Sequence, residues 1–524
     1  MATHNTLTKL FTALVAAAAF TSCQSTSQQE QQENKARSLT YDLLLKNATV
    51  VDGTGSEPFT ANILVGADTI ALIDIDTAYT YKALRTINAK GMVVTPGFID
   101  AHAHGDPMQE PEFRNFLAMG VTTISLGQDG FSHNNKDMSA WMDSVDAAHP
   151  GVNIAMFAGH NSLRVLSGAM YEKQPAEEHL KAMEELVADA MEAGCYGLTT
   201  GLEYNPGYYA SSEELNRLAK VVGAKNGLVM SHMRNEDDSL VEASIQELLA
   251  QGAYCPVHVS HIKVVYGKGK ERARQVLQVL DSARQSGTKV TADFYPYTAS
   301  YTGIAILFPD WAKSPHDYNE VLKTRKEELR TYLRNRVMQR NGPEATLIGS
   351  GRFTGKNLAQ ISEELNKPFE DVLVENIGPY GASGAYFIMN EELQEELMLA
   401  PYVMIGSDGS PSMHHPRGYG SFAKVIETYV KEKQLLSLQE AVRKMTGLPA
   451  QTIGLQKRGL LKPGYKADLL VFNPSEVKEN ATYEKPDQLA SGFRYVLIGG
   501  KLAKEDENYA AERLGKVLRK NKEQ

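Results

Sequence analysis

Cysteine is scarce in this sequence, with only three among 524 residues. Cys195 and Cys255 lie in apolar, strand-like surroundings, and Cys23 lies near the N-terminus. Two thiols in the folded part of a chain cannot form the disulfide framework that stabilises small secreted domains. We therefore expect Cys195 and Cys255 to pack as free thiols in a hydrophobic core.

Long runs of positive charge are also missing. The formal net charge is −9, and the only lysine-rich stretch is a short one at 516–522. This composition argues against nucleic acid as a partner. Hydrophobic residues make up 42% and charged residues 22%, as in soluble globular proteins. The length predicts one large domain and a smaller one.

The N-terminus has the features of an export signal. Lys9 precedes an apolar run at 10–20 that is too short to cross a bilayer, and the small residues Thr21 and Ser22 precede Cys23. This order predicts a bacterial lipoprotein signal at 1–23, with a plain secretory signal as the alternative. Residues 24–38 are polar and predict a flexible tether. We expect an exported periplasmic or cell-envelope protein that touches the membrane only through lipidated Cys23.

Short apolar runs alternate with helix-like segments after residue 92. This alternation predicts βαβ units and a parallel sheet, an α/β fold. Eight runs within about 310 residues favour a (β/α)8 barrel over an open sheet. The runs are 93–99, 121–126, 154–158, 194–200, 228–231, 256–260, 289–294 and 402–405.

The barrel is predicted to occupy 93–449 and to be interrupted by a long gap at about 301–400. A connection of that length predicts an inserted subdomain above the C-terminal ends of the strands. Residues 39–92 and 450–505 contain short β patterns, which we expect to pair into a small β-sandwich beside the barrel. Residues 506–524 are charged and predict a C-terminal helix.

The stretch VVTPGFIDAHAHGD, at 93–106, carries two histidines that are one residue apart. Residues i and i+2 of an extended chain point to the same side, so His102 and His104 are expected to project together from the end of the first strand. Such a pair can hold a divalent metal ion on a rigid element. A pair of surface histidines in a polar loop is the alternative.

Other predicted strands also end in possible metal ligands. The carboxyl ends of barrel strands are where chemistry takes place in this architecture, so these side chains are expected to meet. Histidine nitrogen and carboxylate oxygen are ligands that zinc accepts. Asp408, facing metal-bound water at the last strand, would be a general base and then a general acid. The full candidate ligand set is His102, His104, Glu203, His232, His261 and Asp408.

Several longer motifs make the sequence resemble the amidohydrolase superfamily, and within it the D-aminoacylase (N-acyl-D-amino-acid deacylase) branch. The resemblance extends over nearly the whole chain after residue 40. It implies a barrel with a β-sandwich and a metal-dependent hydrolase that holds one or two Zn²⁺ ions. The motifs are TPGFIDAHAHGD, GLEYNPGYYAS, SHMRNE, VSHIK, DFYPYTA, GSDG with HHPRGYGSF, RKMTGLPA and GYKADLLVFNP.

The resemblance also implies roles for individual residues. His102 and His104 match one metal site, and His232 and His261 match the other. Asp408 matches the catalytic acid and base. The positions that hold the α-carboxylate of the substrate in the family are matched by Lys263, Tyr295 and Arg417. An arginine fork, a lysine charge and a phenol donor suit a carboxylate.

One position departs from the D-aminoacylase pattern. The family carries a metal-bridging cysteine after the second strand, whereas this chain has Gln128-Asp129-Gly130 there. Elsewhere in the superfamily, a carboxylated lysine or a glutamate at the end of the fourth strand bridges the metals, and Glu203 lies at that place. Our hypothesis from the sequence is that Glu203 bridges the two metals, with Asp129 as its competitor.

The resemblance implies hydrolysis of the linear amide of an N-acyl-D-amino acid, which releases a carboxylate and a free D-amino acid. Three alternatives stay open at this point. They are a dipeptidase acting on peptides that contain D-amino acids, a cyclic-amide hydrolase of the dihydroorotase or hydantoinase kind, and a binding protein on an inactive barrel.

Overall fold

The computed structural model of the chain describes residues 39–520. The predicted signal peptide, its Cys23 and the tether at 24–38 lie outside the described residues. The strands are β1 Thr40–Val50, β2 Phe59–Gly66, β3 Thr69–Asp74, β4 Lys82–Asn88, β5 Val93–Pro96, β6 Phe98–Asp100, β7 Val121–Leu126, β8 Asn153–Met156, β9 Ala158–Gly159, β10 Gly197–Gly201, β11 Leu228–His232, β12 Val257–Val259, β13 Val290–Phe294, β14 Ala299–Gly303, β15 Thr346–Ile348, β16 Ser383–Phe387, β17 Val403–Ile405, β18 Leu469–Phe472, β19 Phe493–Ile498, β20 Lys501–Glu505, β21 Asn508–Tyr509 and β22 Val517–Leu518.

Helices connect most of the strands after β6. Among the described residues, no helix is long and apolar enough to cross a membrane. The α-helices are α1 Arg114–Ala118, α2 Met138–Ala147, α3 His160–Ser167, α4 Glu177–Ala193, α5 Ser212–Ala224, α6 Val241–Gln251, α7 Gly269–Gln285, α8 Tyr318–Thr324, α9 Lys326–Gln339, α10 Leu358–Leu365, α11 Phe369–Asp371, α12 Glu391–Leu399, α13 Arg417–Lys424, α14 Leu438–Met445 and α15 Gly447–Ile453.

Strands from both ends of the chain share one nine-stranded sheet. Its order is β21-β20-β19-β18-β5-β1-β2-β3, and β4 also pairs with β1. The eleven-residue β1 pairs with β4 along its first part and with β5 at Thr49 and Val50. β1 also pairs with β2, so hydrogen bonds connect all nine strands, which come from the two terminal parts that were expected to pair with each other. Leu45, Ile63 and Val471 lie in one hydrophobic core on this sheet.

The first predicted strand, 93–99, divides at Gly97. Residues before it form β5 in the terminal sheet, and those after it form β6, which pairs in parallel with β7. A side chain on Gly97 would overlap Thr122, because its Cβ would lie 2.1 Å from Thr122 Oγ1. Glycine therefore allows the chain to pass from one sheet into the other. The candidate ligands His102 and His104 follow directly after β6.

Apart from β14, β15 and β16, the strands from β6 to β17 form two parallel sheets together with β22, and helices lie between most consecutive strands. The orders are β17-β13-β12-β11-β10-β9 and β22-β8-β7-β6. Only Phe157 separates β8 from β9, so the sheets are continuous there along the chain. A single parallel bridge, Ala103 with Gly409, links the chain after β6 to the chain after β17. The structure is thus a mixed α/β fold in which all these strands run in parallel.

The C-terminal segment corrects the predicted helix at 506–524. Its described part, to residue 520, contains no helix and instead forms β21 and β22. Val517 and Leu518 are buried and pair in parallel with Ile154 and Ala155 of β8. Lys520 donates its backbone N–H to the carbonyl of Gly194 at 3.0 Å. Pairing and burial of this apolar dipeptide beside β8 outweigh the helical tendency of the surrounding charged residues.

The long gap between β13 and β17 contains a subdomain with its own core. β14, β15 and β16 form an antiparallel sheet in the order β14-β16-β15. Leu329, Leu333 and Val337 of α9 pack in a separate hydrophobic cluster with residues such as Ile348 and Tyr386. This subdomain follows directly after β13, so it is carried on the end of that strand and stands beside the candidate site.

Candidate metal centre

The candidate ligands follow the carboxyl ends of neighbouring parallel strands. Asp100, the last residue of β6, joins two of these ends because its Oδ1 accepts the backbone N–H of His102 at 3.1 Å and that of Ser407 at 3.0 Å. The backbone N–H of Asp408 in turn donates to the carbonyl of His102 at 2.8 Å. Burial raises the pKa of Asp100 to about 7. These bonds fix the first and last strand ends against each other.

Three of the site residues have an unusual backbone conformation. Asp129, His261 and Asp408 have φ angles of 53°, 36° and 49°. Residues other than glycine seldom adopt this left-handed region, and such strain is concentrated at functional sites. In each case the turn follows a strand, and it redirects the side chain toward the centre of the site.

Asp129 occupies the centre of the cluster. Its Oδ1 lies 3.2 Å from His102 Nε2 and 3.2 Å from His261 Nε2, and its Oδ2 lies 3.5 Å from His104 Nε2. Two groups of side chains could each hold a metal ion around it. One is His102, His104, Asp129 and Asp408, and the other is Asp129, His232 and His261. Asp129 is the residue that the two groups share.

Glu203 lies to one side of this centre. Its Oε2 is 3.2 Å from His232 Nε2, and with His232 and Glu236 it forms a third possible group. His232 directs its other nitrogen, Nδ1, to within 2.9 Å of His261 Nε2. Glu203 therefore contacts a ligand of one site only. The geometry places Asp129 between the two sites and Glu203 beside one of them, and the hypothesis of a bridging Glu203 stays a prediction.

The donor set fits a divalent metal ion. Neither ring nitrogen of buried His102 makes a hydrogen bond, although Asp129 Oδ1 lies 3.2 Å from Nε2. The close approach of His232 Nδ1 to His261 Nε2 also brings two imidazole nitrogens together beside a carboxylate. Neutral imidazoles and carboxylates facing one point are the ligands expected for zinc.

Asp408 is bound on two sides. Its Oδ1 lies 3.1 Å from His104 Nε2, and its Oδ2 accepts a charge-assisted bond from Arg417 Nη1 at 2.8 Å. Burial would raise the pKa of Asp408, but Arg417 and the neighbouring histidines lower it well below the ordinary value. The carboxylate is therefore held ionised, in the form that can accept a proton.

Lys263, Tyr295 and Arg417 lie together beside Asp408. The Lys263 Nζ and Arg417 Cζ atoms lie 5.7 Å and 4.8 Å from the centroid of the Tyr295 ring. The Tyr295 hydroxyl and Arg417 Nε are buried without a hydrogen-bond partner. Lys263 Nζ donates to Glu236 Oε1 at 2.7 Å. Burial raises the pKa of Tyr295 to about 12, so its hydroxyl remains a donor. The Tyr295 hydroxyl and Arg417 Nε are thus unfilled donors for an anionic group, and the Lys263 ammonium lies beside them with Glu236 and His261 as its partners.

Asp293 and Glu236 support the ligands, and the sequence analysis assigned neither of them a role. Asp293, which is fully buried, accepts the backbone N–H of His261 at 2.9 Å and contacts His258 Nε2 at 2.7 Å. Glu236 Oε1 lies 3.1 Å from His261 Nδ1. Carboxylates behind metal-binding histidines fix the orientation of the ring. Their positions in the motifs DFYPYTA and SHMRNE were the available signal.

An open cavity of about 500 Å³ leads to this cluster. Its volume is typical of sites for small molecules. Arg234 is not among its lining residues, because its guanidinium binds Glu247 and two carbonyls. The inserted subdomain supplies one wall. The lining includes His104, Asp129, Phe131, Glu203, Tyr204, Tyr301, Ile306, Lys313, Tyr380, Asp408 and Arg417.

Comparison with known proteins places the chain among metal-dependent hydrolases. Residues 85–306 and 370–503 match the model of the Amidohydrolase family. An N-acyl-D-glutamate deacylase of Alcaligenes xylosoxydans xylosoxydans is 33% identical over 507 residues, which are 92% of this chain and 97% of that protein. A D-aminoacylase of the same organism is 31% identical over 510 residues, with coverage of 91% and 97%.

Solved structures agree with these relatives. The crystal structure of an N-acyl-D-glutamate deacylase from Bordetella bronchiseptica, with zinc and a phosphonate inhibitor that mimics the tetrahedral intermediate, has a TM-score of 0.79 and 31% identity. It covers 92% of this chain and 100% of that one. A D-aminoacylase with a binuclear metal centre has a TM-score of 0.78 and 31% identity, and covers 91% and 100%.

Proposed function

The chain belongs to the amidohydrolase family, and from this premise we propose that it hydrolyses the amide bond of N-acyl-D-amino acids. The observation that carries the proposal is the position of Asp408, ionised between His104 and Arg417 at the edge of two possible metal groups. A general base at that place, with donors for a carboxylate beside it, suits a linear amide next to an α-carboxylate.

The residues that would hold zinc are His102, His104, Asp129, His232 and His261. Bound zinc supplies a water of lowered pKa and polarises the carbonyl. Asp129 would be the shared ligand, since among the described residues it belongs both to the group that contains His102 and His104 and to the group that contains His232 and His261. A hard carboxylate in place of a thiolate favours similar filling of the two sites.

The protein side chains would move the proton and orient the substrate. Asp408 accepts the proton of the attacking water and later delivers it to the nitrogen of the leaving amine. Lys263, Tyr295 and Arg417 bind the α-carboxylate. The α-carboxylate and the reacting amide are then both fixed. Because of this, only one configuration at the α-carbon directs the acyl group toward the metal centre. The products are a carboxylate and a free D-amino acid.

We further propose that the two parallel sheets form a single eight-stranded barrel. The continuity through Phe157 supports closure on one side, and the Ala103–Gly409 bridge supports it on the other. Hydantoinase structures with 15–17% identity and TM-scores of 0.55 share the overall fold. A barrel explains why ligands from β6, β11, β12 and β17 meet at one end.

Export as a lipoprotein is proposed from the sequence. Lys9, the apolar run at 10–20 and the small residues before Cys23 support a signal peptide that ends at a lipidated cysteine. The partner at the membrane would then be the lipid bilayer, reached through the anchor alone. The substrate would be a small molecule of the periplasm or cell envelope.

A hydrolysis panel tests the activity. The zinc-loaded protein is assayed on N-acetyl-D and N-acetyl-L amino acids, dipeptides with a D-residue, hydantoin and dihydroorotate. We expect turnover of N-acetyl-D substrates and not of their L forms, and Asp408→Asn is expected to lower kcat/KM about 10²–10⁴-fold. Turnover of cyclic amides alone, or of dipeptides alone, would replace this proposal by one of the alternatives.

A further inference from the structure

Arg340 is a buried arginine with no carboxylate partner. Within residues 39–520, five arginines are buried, and four of them form ion pairs with a carboxylate. Arg340, which is 3% exposed, forms none, and its Nε lacks a hydrogen-bond partner. Arginine is almost never buried unpaired, because removing its charge from water is costly. The exception indicates a site built for an anion that the chain itself does not supply.

The surroundings of Arg340 direct it toward the candidate site. The residue follows the last turn of α9, and its Cζ lies 5.0 Å from the centroid of the Tyr386 ring of β16. It lines a narrow inner cavity that also contains Lys263, Tyr295 and Arg417. The inserted subdomain therefore brings a guanidinium to the same space as the group proposed to bind the α-carboxylate.

The carboxylates around this inner cavity are already engaged. Glu236 accepts the bond from Lys263 at 2.7 Å, and Asp237 binds Arg336 at 3.1 Å. Asp408 binds Arg417. None of these three carboxylates lies within 4.0 Å of the Arg340 guanidinium in the described part of the chain, and its contacts are with neutral groups, namely the Tyr386 ring and a hydrogen bond with the Tyr266 side chain. An additional anion is thus needed to pair this charge.

We propose that Arg340 binds a second carboxylate of the substrate, located on its side chain, so that the preferred substrates are N-acyl derivatives of acidic D-amino acids. The inference rests on the proposed deacylase function and specifies its substrate class. A planar guanidinium can hold a carboxylate through two parallel N–H bonds, which gives direction as well as charge. The α-carboxylate remains with Lys263, Tyr295 and Arg417.

Lys313 is the alternative residue for binding the side-chain carboxylate of the substrate. It lines the outer cavity, and no carboxylate lies within 4.0 Å of its ammonium among the residues that the structure describes. The nearby acids are engaged, since Asp310 accepts from Tyr209 at 2.9 Å and Glu203 contacts His232. Lys313 is only partly buried, however, so water can solvate its charge. Arg340, which water hardly reaches, has the stronger need for an anionic partner.

The test compares N-acetyl-D-glutamate with N-acetyl-D-glutamine, which have the same shape and the same α-carboxylate. kcat/KM is measured on the zinc-loaded full chain for wild type, Arg340→Met, Arg340→Lys and Lys313→Met. Arg352→Met is the matched control, because Arg352 lies 5.2 Å over Phe353 in the same subdomain and is exposed to solvent. The melting temperature and zinc content of each variant report whether it is folded.

We expect the wild type to prefer glutamate, and Arg340→Met to lose about 10- to 100-fold on glutamate with little change on glutamine. Arg340→Lys should restore part of the preference, and Arg352→Met should keep all of it. No preference in the wild type, an equal loss on both substrates, or a loss of the preference in Lys313→Met instead would overturn the assignment. Failure of the wild type to hydrolyse any N-acyl-D-amino acid would overturn the deacylase proposal itself.

Discussion

The carboxylate of Asp129 can join the two groups of possible metal ligands. Its oxygens lie within 3.5 Å of nitrogens from three histidines, which belong to two strand ends that are distant in sequence. A carboxylate has two oxygens and can serve two metals at once, as a thiolate can through one sulfur. The left-handed φ of 53° at Asp129 is what turns the side chain inward.

This assignment predicts opposite behaviour of two acid-to-amide variants. Asp129→Asn should weaken metal binding more than about 100-fold, since it removes a shared ligand and not merely an outer partner. Glu203→Gln should leave the metal content close to that of the wild type. Metal per chain is measured by inductively coupled plasma mass spectrometry after dialysis, with Asp106→Asn as the control, because Asp106 caps a turn outside the two groups. Loss of metal in Glu203→Gln alone would restore Glu203 as the bridge.

Some of these residues could be predicted from the sequence and others could not. His102 and His104 were accessible because alternation along a strand fixes the direction of both side chains. Glu203 was preferred to Asp129 because of its place at the end of the fourth strand, whereas the position of the Asp129 carboxylate among three histidines depends on the turn after β7, which no local pattern encodes. Arg340 was inaccessible for a similar reason, since α9 packs within the inserted subdomain and its position relative to β13 is not encoded in any local pattern.

At the scale of elements, a buried ion-pair network joins α3 to α5. Arg164 Nη1 lies 2.5 Å from Glu214 Oε2, and His160 Nε2 lies 2.7 Å from Glu214 Oε1, with all three side chains fully buried. Burial would raise the pKa of Glu214, but His160 and Arg164 lower it below the ordinary value. The pair stands next to Asn161, which contacts the carbonyl of Gly201 at the end of β10. The network thus supports the elements that lie behind the metal centre.

Glu214→Gln should therefore destabilise the protein in a pH-dependent way. At pH 7 we expect a loss of about 3–5 kcal/mol in the free energy of unfolding, because Arg164 is left buried without a charge partner. The folded-state pKa of Glu214 lies below its unfolded value, so its contribution is complete above the unfolded pKa and is lost as pH falls through the folded pKa. Urea unfolding is measured from about pH 7 to about pH 3.5. The difference in the free energy of unfolding between wild type and variant should become smaller below about pH 4.5. Exposed Glu213→Gln is the control, and a gap that stays constant would contradict the argument.

The helices of the α/β part agreed with the sequence pattern, whereas the C-terminal segment did not. Glu177–Ala193, one of the helix-like segments between the apolar runs, is a helix of 17 residues whose buried positions Met183, Val187 and Ala190 lie on one face. Residues 506–524 carry enough charge to suggest a helix, but the decisive feature is the apolar dipeptide Val517-Leu518. Its partner, the edge of β8, is distant in sequence and cannot be recognised before the fold is known.

The short β22 should contribute to stability out of proportion to its length. Leu518 is 1% exposed in a core with Ile99, Tyr196 and Met230. Leu518→Ala is expected to lower the free energy of unfolding by about 2–5 kcal/mol through lost burial and a residual cavity. Leu84→Ala, at a site that is 79% exposed, should change it by less than about 0.5 kcal/mol. Equal effects of the two substitutions in urea unfolding would mean that the C-terminal segment does not dock on β8 in solution.

On the scale of the whole molecule, an open cavity lies between the strand ends and the inserted subdomain. The match to the family model is interrupted at 307–369, and that interval includes Lys313, Arg340 and most of the helices of the subdomain. The metal centre lies entirely within the matched parts, at positions 102–104, 129, 232, 261 and 408. The residues proposed to hold the metals thus lie in the matched parts, and Arg340, proposed to bind the side-chain carboxylate of the substrate, lies in the unmatched interval.

The location of the whole molecule is tested by its N-terminal cysteine. If Cys23 is lipidated, the protein produced in a Gram-negative host should sediment with the membrane fraction and incorporate labelled palmitate, because acyl chains alone can anchor a protein to a bilayer. Cys23→Ser should abolish the label and move the deacylase activity to the soluble fraction, with kcat/KM unchanged since the site is built from residues after 100. Cys195→Ser, a buried thiol in the folded part, is the control and should retain both label and membrane association. Labelled palmitate in the Cys23→Ser protein would refute the anchor and favour a plain secretory signal. Sedimentation of the unlabelled Cys23→Ser protein with the membrane fraction would do the same.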